Sequence, residues 1–234
     1  MKEKIFLLPG LMTDERLWQR VKPLLKEYKL IHIPIPKTTD FDKTNEVLKK
    51  LFKDEQKVNL LGFSLGGYIA TYFAVNNQDL IGRLFIVAGT PSDTSELEIK
   101  RRKQKLLQIQ KKGFFTLSYE KASTLVQEQN KEDKQLISLI VDMFTTLGKD
   151  EFISQLKSTF FRKDLHNEIK DLNFPLYYFF STNDRLLNYN SVEKLKKMDS
   201  KYLKIIFTEG TSHNIPLEHS LKLAKYIKEW MKTV

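Results

Sequence analysis

The stretch Gly62-Phe63-Ser64-Leu65-Gly66-Gly67 fits Gly-x-Ser-x-Gly, the pattern of a nucleophile elbow. In an elbow a serine sits on a strained turn between a strand and a helix. The glycines have a steric reason: the chain reverses so sharply at the serine that its neighbours two positions away nearly touch, and side chains there would clash. The letters alone are moderately specific, and the flanking residues supply the context. Val58-Asn59-Leu60-Leu61 reads as a short buried strand. Tyr68, Ile69, Tyr72 and Phe73 recur at helical spacing, which predicts a helix over residues 65–76.

Outward from this turn, strand and helix signals alternate. Apolar runs at 5–8, 30–33, 84–88, 175–180 and 203–207 read as strands. Helices are expected over residues 14–26, with Leu17, Val21, Leu24 and Leu25 on one face, and over 42–52, with Val47, Leu48 and Leu51 turned inward. Further helices are expected at 192–198 and 217–231. Apolar strands alternating with helices predict an α/β fold with a doubly wound, mostly parallel sheet of about six strands, covered on both faces. Between Thr90 and Asp171 the strand signal vanishes. Leu136, Ile137, Ile140, Phe144 and Leu147 form a helical run there, and Gly113 and Gly148 look like helix breaks. Residues 91–170 thus read as a helical insertion into one core built from 1–90 and 171–234.

Composition narrows the function classes. The 234 residues are 41% hydrophobic with 16 Phe, enough for one sizeable core. No apolar run approaches the roughly 20 residues that span a bilayer. The apolar start is short and interrupted by Pro9-Gly10, so it reads as a strand and not a signal peptide, and a cytoplasmic protein is expected. With no cysteine, disulfides, thiolate catalysis and cysteine-ligated metals are excluded. The net charge of +10 raises nucleic acid as a partner. The excess is spread along the chain, however: 14 Lys and Arg against 10 Asp and Glu in 1–92, 15 against 13 in 93–171, and 10 against 6 in 172–234. The densest run, Lys100-Arg101-Arg102-Lys103, would point around the whole circumference of a helix. No basic stripe of the kind a phosphate backbone requires is present, and nucleic acid is not expected as a partner.

A serine nucleophile needs a base, and the base needs a group to orient it. His32 lies inside an apolar strand, where a histidine satisfied within the fold is the simpler reading. His166 stands among Lys163, Asp164 and Asn167 and is expected to face solvent, and His219 falls in the first turns of the final helix, at the surface. His213 alone sits on a loop past a strand end, the edge where parallel sheets place ligands and catalytic groups. For the acid, Asp184 directly follows the penultimate strand, and Asp93, after the strand that follows the elbow, is the rival. The order Ser64, Asp184, His213 is that of elbow hydrolases and favours Asp184.

Together these pieces resemble the alpha/beta-hydrolase superfamily over nearly the whole chain. The matching stretches are Leu7-Leu8-Pro9-Gly10-Leu11 with Trp18 downstream, the elbow, Asn183-Asp184, and Ser212-His213 followed by Pro216 and Glu218. The resemblance implies a catalytic triad of Ser64, His213 and Asp184, the serine on the third strand, and a helical lid over residues 91–170. It implies an oxyanion hole from the backbone N–H groups of Leu11 and Leu65. The family's usual first hairpin is not expected here, since the stretch leading to Gly10 reads as the first strand, and Pro9-Gly10 stands where many relatives have His-Gly. The expected activity is hydrolysis of carboxylic esters of small to medium acyl chain, with thioesters or a C–C bond as chemical neighbours. A ligand-binding protein that keeps the pocket, and a protein that binds an acidic partner through its basic surface, are the non-enzymatic alternatives. With no metal-ligand cluster and no phosphate-binding glycine loop, no cofactor and no metal are expected. The insertion's near-balanced charge predicts free, uncharged esters as substrates; an acidic carrier protein is possible but not favoured. Phe114, Phe115, Phe144, Phe160 and Phe161 could line an apolar pocket or simply pack the lid.

Overall fold

In the computed structural model, residues 2–233 are described. The apolar residues Ile5, Phe6, Leu7 and Leu8 are all buried in the first strand, β1 (Lys4–Leu8). It is joined by β2 (Lys29–His32), β3 (Val58–Phe63), β4 (Ile81–Val87), β5 (Leu176–Ser181) and β6 (Leu203–Thr208) in one six-stranded sheet of order β2-β1-β3-β4-β5-β6. Every pairing is parallel. Burial on both faces explains why the central strands β1, β3, β4 and β5 read as continuous apolar runs. Phe6, Leu60, Leu84, Ile86 and Tyr178 enter one core, and Leu7, Leu61, Phe85, Val87 and Phe179 enter the other, as side chains alternating across a strand must.

The helices complete both cores. On the first face lie α1 (Phe41–Leu51) and α2 (Leu65–Asn76). Between β4 and β5 the chain forms α3 (Glu96–Lys112), α4 (Tyr119–Ser123), α5 (Lys134–Ser158) and α6 (His166–Lys170). Gly113 ends α3 at φ 84°, and Gly148, at φ 71°, breaks α5. The chain closes with α7 (Tyr189–Lys196), α8 (Ile215–Glu218) and α9 (Ser220–Met231). Residues of α5 and α9 pack in the second core with Trp18. No helix among the described residues is long and apolar enough to cross a membrane.

Two expected helices differ. Residues 14–26 form two short 3-10 turns, Glu15–Trp18 and Lys22–Leu24, instead of one amphipathic helix. Asp14 caps the first turn by accepting the Arg16 N–H and holds the Arg16 guanidinium as well. Pro23 has no N–H to donate to an upstream carbonyl and disfavours α geometry before it, so the turns cannot merge. In α1 the inward face is Phe41, Thr44 and Leu48, while Val47 and Leu51 are exposed at 48% and 53%. Phe52, one residue beyond α1, occupies the inward row that Leu51 was expected to fill.

The order β2-β1-β3 reverses the direction of strand addition between β1 and β3. In parallel sheets a crevice opens outside the carboxyl ends of the strands at such a point. The elbow stands there, and its glycines are required by close approach. A Cβ on Gly66 would lie 2.2 Å from the Pro9 carbonyl oxygen, and one on Gly62 would lie 2.3 Å from that of Gly66. Gly66→Ala is therefore expected to destabilise the fold by about 3 kcal/mol or more. For a chain of this length that is a fall in Tm on the order of 10 °C. A thermal melt identical to the parent's would mean that α2 can retreat from β1 at no cost.

Candidate active site

Ser64 follows β3 at φ 51°, a strained conformation for a residue with a side chain. It is held there because its N–H donates to the Val87 carbonyl at 2.8 Å while α2 starts at the next residue. His213 arrives from the far side of the sheet, on the loop after β6. Three contacts aim that loop. The Ser181 hydroxyl donates to the Ser212 carbonyl at 2.6 Å, the Asn183 N–H donates to the Gly210 carbonyl at 2.9 Å, and the Ser212 hydroxyl bonds the Glu218 carboxylate. The imidazole packs on Phe63 with ring centroids 5.2 Å apart. Its Nε2 lies 2.9 Å from Ser64 Oγ and its Nδ1 lies 2.7 Å from Asp184 Oδ2. Asp184, fully buried just past β5, accepts the Leu186 N–H on its other oxygen at 2.9 Å. Asp93 is exposed and takes no part in this chain of hydrogen bonds.

Leu11 and Leu65, the two residues expected to offer backbone N–H groups, flank the crevice at the ends of β1 and β3. Among the described residues neither N–H has an acceptor. The turn after β1 leaves Leu11 free because its neighbours are committed elsewhere. Thr13 Oγ1 accepts the Gly10 N–H at 2.8 Å, and the Met12 N–H donates to Gln155 Oε1 at 2.8 Å. Gln155, buried in α5, was not singled out from the sequence. It lies 143 residues from Met12, and no local pattern marks such a partner.

Ser64, Leu11, Leu65 and His213 all line a cavity of about 720 Å³. Leu117, Leu125, Ile140 and Phe144 give it an apolar wall. Of the other phenylalanines between β4 and β5, Phe114 stacks on Phe144 at 5.7 Å, while Phe115 and Phe161 are exposed at 73% and 63%. Most of these rings therefore pack the helices or face solvent.

The other histidines have structural settings. His166 is buried at 5% exposure, not solvent-facing as expected from its polar neighbours. Its Nδ1 bonds Asp164 and its Nε2 lies 2.9 Å from Ser191 Oγ, so the same three residue types recur in a second place. Ser191 is only 1% exposed, inside α7, out of reach of a substrate. His219 is partly buried, with Nε2 2.7 Å from Gln127 Nε2. His32 leaves Nδ1 without a partner among the described residues, and burial pushes its pKa down.

Burial raises the Asp164 pKa, but hydrogen bonds from Lys194, at 2.8 Å, and from His166 outweigh it and bring the value to about 2. A carboxylate with a depressed folded pKa contributes stability above its unfolded value, lost as pH falls through the folded one. The gap in Tm between parent and Asp164→Asn should therefore be widest above pH ~4 and close by pH ~2. Partial exposure and solvent screening hold it to about 1 kcal/mol or less. A gap that persists unchanged at pH ~2 would show that packing, and not charge, sets the difference.

Residues 8–220 match the family model described as alpha/beta hydrolase fold. The chain belongs to the alpha/beta-hydrolase fold family. Among solved structures, this hydrolase is similar to a thermophilic esterase from Thermogutta terrifontis, with TM-score 0.85 and 17% identity over 99% of this chain and 90% of that one. It is equally similar to the enol-lactonase from Burkholderia xenovorans LB400, with TM-score 0.85 and 16% identity over 100% of this chain and 92% of that one. At such identities the likeness is one of fold. A curated relative, the biotin biosynthesis bifunctional protein BioHC of Teredinibacter turnerae, is 34% identical over 98 residues. That match spans 37% of this chain and 17% of the relative.

Proposed function

We propose that this hydrolase cleaves carboxylic esters of short to medium acyl chain, with Ser64 as nucleophile, His213 as base and Asp184 as the group that orients it. The observation that carries this is the continuous relay from Ser64 Oγ through His213 to buried Asp184, at 2.9 and 2.7 Å, opening into the cavity. Neutral His213 takes the Ser64 proton as Oγ attacks the acyl carbonyl, and Asp184 stabilises the imidazolium that forms. The carbonyl oxygen becomes an oxyanion, received by the free N–H groups of Leu11 and Leu65. Each such donor is typically worth about 10²–10³ in rate. His213 then protonates the leaving alcohol, and water repeats the sequence on the acyl-enzyme.

Residues 91–170 act in this proposal as a lid on a core of 1–90 and 171–234. Their side chains supply the apolar wall, and Gln155 holds the turn that presents the Leu11 N–H. Two structural relatives, an esterase and an enol-lactonase, act on the same kind of bond, which supports this reading. An ester panel graded by acyl length is expected to show saturable hydrolysis with an optimum at short to medium chains. A protein that binds these esters without turning any over would be a ligand carrier, and the hydrolytic proposal would fail.

A further inference from the structure

One wall of the cavity carries positive charge that its carboxylates, Asp93 and Glu98, only partly offset. Arg162 sets its guanidinium 4.2 Å from the centre of the Tyr68 ring and donates from Nη2 to the Thr90 carbonyl at 2.6 Å. Its Nε is covered and has no acceptor, and among the described residues no carboxylate pairs with it. Arg102 stands close enough to act on it electrostatically. That second arginine pairs with Glu98, yet its Nη1 is also covered and without a partner. Burial pushes the Arg162 pKa down to about 10, which still leaves it charged at neutral pH.

Both arginines line the same cavity as Ser64. Arg101 and Arg185 line it too, against only Asp93 and Glu98 as carboxylates. Thr90 ties this wall to the reaction centre, because it follows Gly89, where a Cβ would lie 2.8 Å from the Ser64 carbonyl oxygen. A desolvated charge with no carboxylate in direct contact is costly in a low-dielectric setting. A guanidinium held by one carbonyl and one ring face, with part of its fork unused, matches the geometry of an oxyanion. The expectation of an uncharged substrate rested on the whole insertion's near-balanced charge. That average includes solvated surface, whereas a substrate meets the cavity wall.

We propose that this cavity recognises esters carrying a second, anionic oxygen group, a carboxylate or a phosphate, which Arg162 and the adjacent Arg102 hold while the ester carbonyl lies at Ser64. The proposal rests on the hydrolytic function above and adds the substrate class.

The test compares kcat/KM for monoethyl succinate, glutarate and adipate with their diethyl esters, and for 2-acetoxyethyl phosphate with 2-acetoxyethanol. At least one anionic ester should exceed its neutral counterpart by about tenfold or more, as a charge-assisted contact implies. Which pair shows the preference tells carboxylate from phosphate. Arg162→Gln should bring the anionic-to-neutral ratio near one, and Arg162→Lys should restore part of it. If Arg162→Gln does not fold, Arg102→Gln takes its place and must lower the ratio by about threefold or more. Calorimetry on Ser64→Ala should detect succinate, glutarate or inorganic phosphate without any turnover. Neutral esters hydrolysed as fast as every anionic one would overturn the anion site and leave the serine hydrolase standing. Anion binding to Ser64→Ala with no ester turned over by the parent protein would do the reverse.

Discussion

Ser64→Ala is expected to lower kcat on the best ester by on the order of 10⁵–10⁶-fold, because loss of a serine nucleophile removes the acyl-enzyme route altogether. Folding should be preserved. Ser64 Oγ bonds only His213 Nε2 on the cavity wall, so its removal strands no other polar group. A fluorophosphonate probe should add once to the parent protein, at Ser64, and not at all to the variant. The protein contains its own control. Ser191 also faces a histidine nitrogen at 2.9 Å, and that histidine also bonds an aspartate, but at 1% exposure it should remain unlabelled. Labelling of Ser191, or retained activity in Ser64→Ala, would sink the assignment.

Asp184→Asn should be nearly as severe, with a loss of about 10⁴ in kcat. The carboxylate accepts the Leu186 N–H on Oδ1 and faces His213 Nδ1 with Oδ2. If an asparagine keeps its oxygen on Leu186, its amide N–H₂ must face His213. A proton on that side fixes the wrong imidazole tautomer, with Nε2 protonated toward Ser64 and unable to act as base. Asp93→Asn, on an exposed residue with no contact to His213, should cost less than about tenfold by comparison with the loss at the orienting acid. Full activity in Asp184→Asn together with collapse in Asp93→Asn would move the acid to the strand after the elbow.

The fold was legible in the chain because the central strands β1, β3, β4 and β5 are buried on both faces. Continuous apolar runs then announce strands, and α2 was readable to its boundaries, Leu65–Asn76, from Tyr68, Ile69, Tyr72 and Phe73. Periodicity failed where a cap, a proline or the next apolar residue along set the local geometry. Asp14 and Pro23 turned an apparently amphipathic segment into two 3-10 turns. In α1, Phe52 took the inward row and left Leu51 in solvent. For His166, polar neighbours in sequence suggested exposure, but the side chain packs against Ser191, which lies 25 residues away.

By itself the sequence determined the parallel α/β architecture and the residues Ser64, Asp184 and His213 as candidates, since strand ends and glycine spacing are local properties. Only the tertiary structure decided that these three meet at hydrogen-bonding distance, from loops after β3, β5 and β6. It alone placed Gln155 under the Met12 N–H and set Arg162 beside the cavity with no ion-pair partner among the described residues. The physical reason is that such contacts depend on strand order and on which groups find partners across the fold. Neither quantity is a property of neighbouring residues, and both are settled only when the chain has closed on itself.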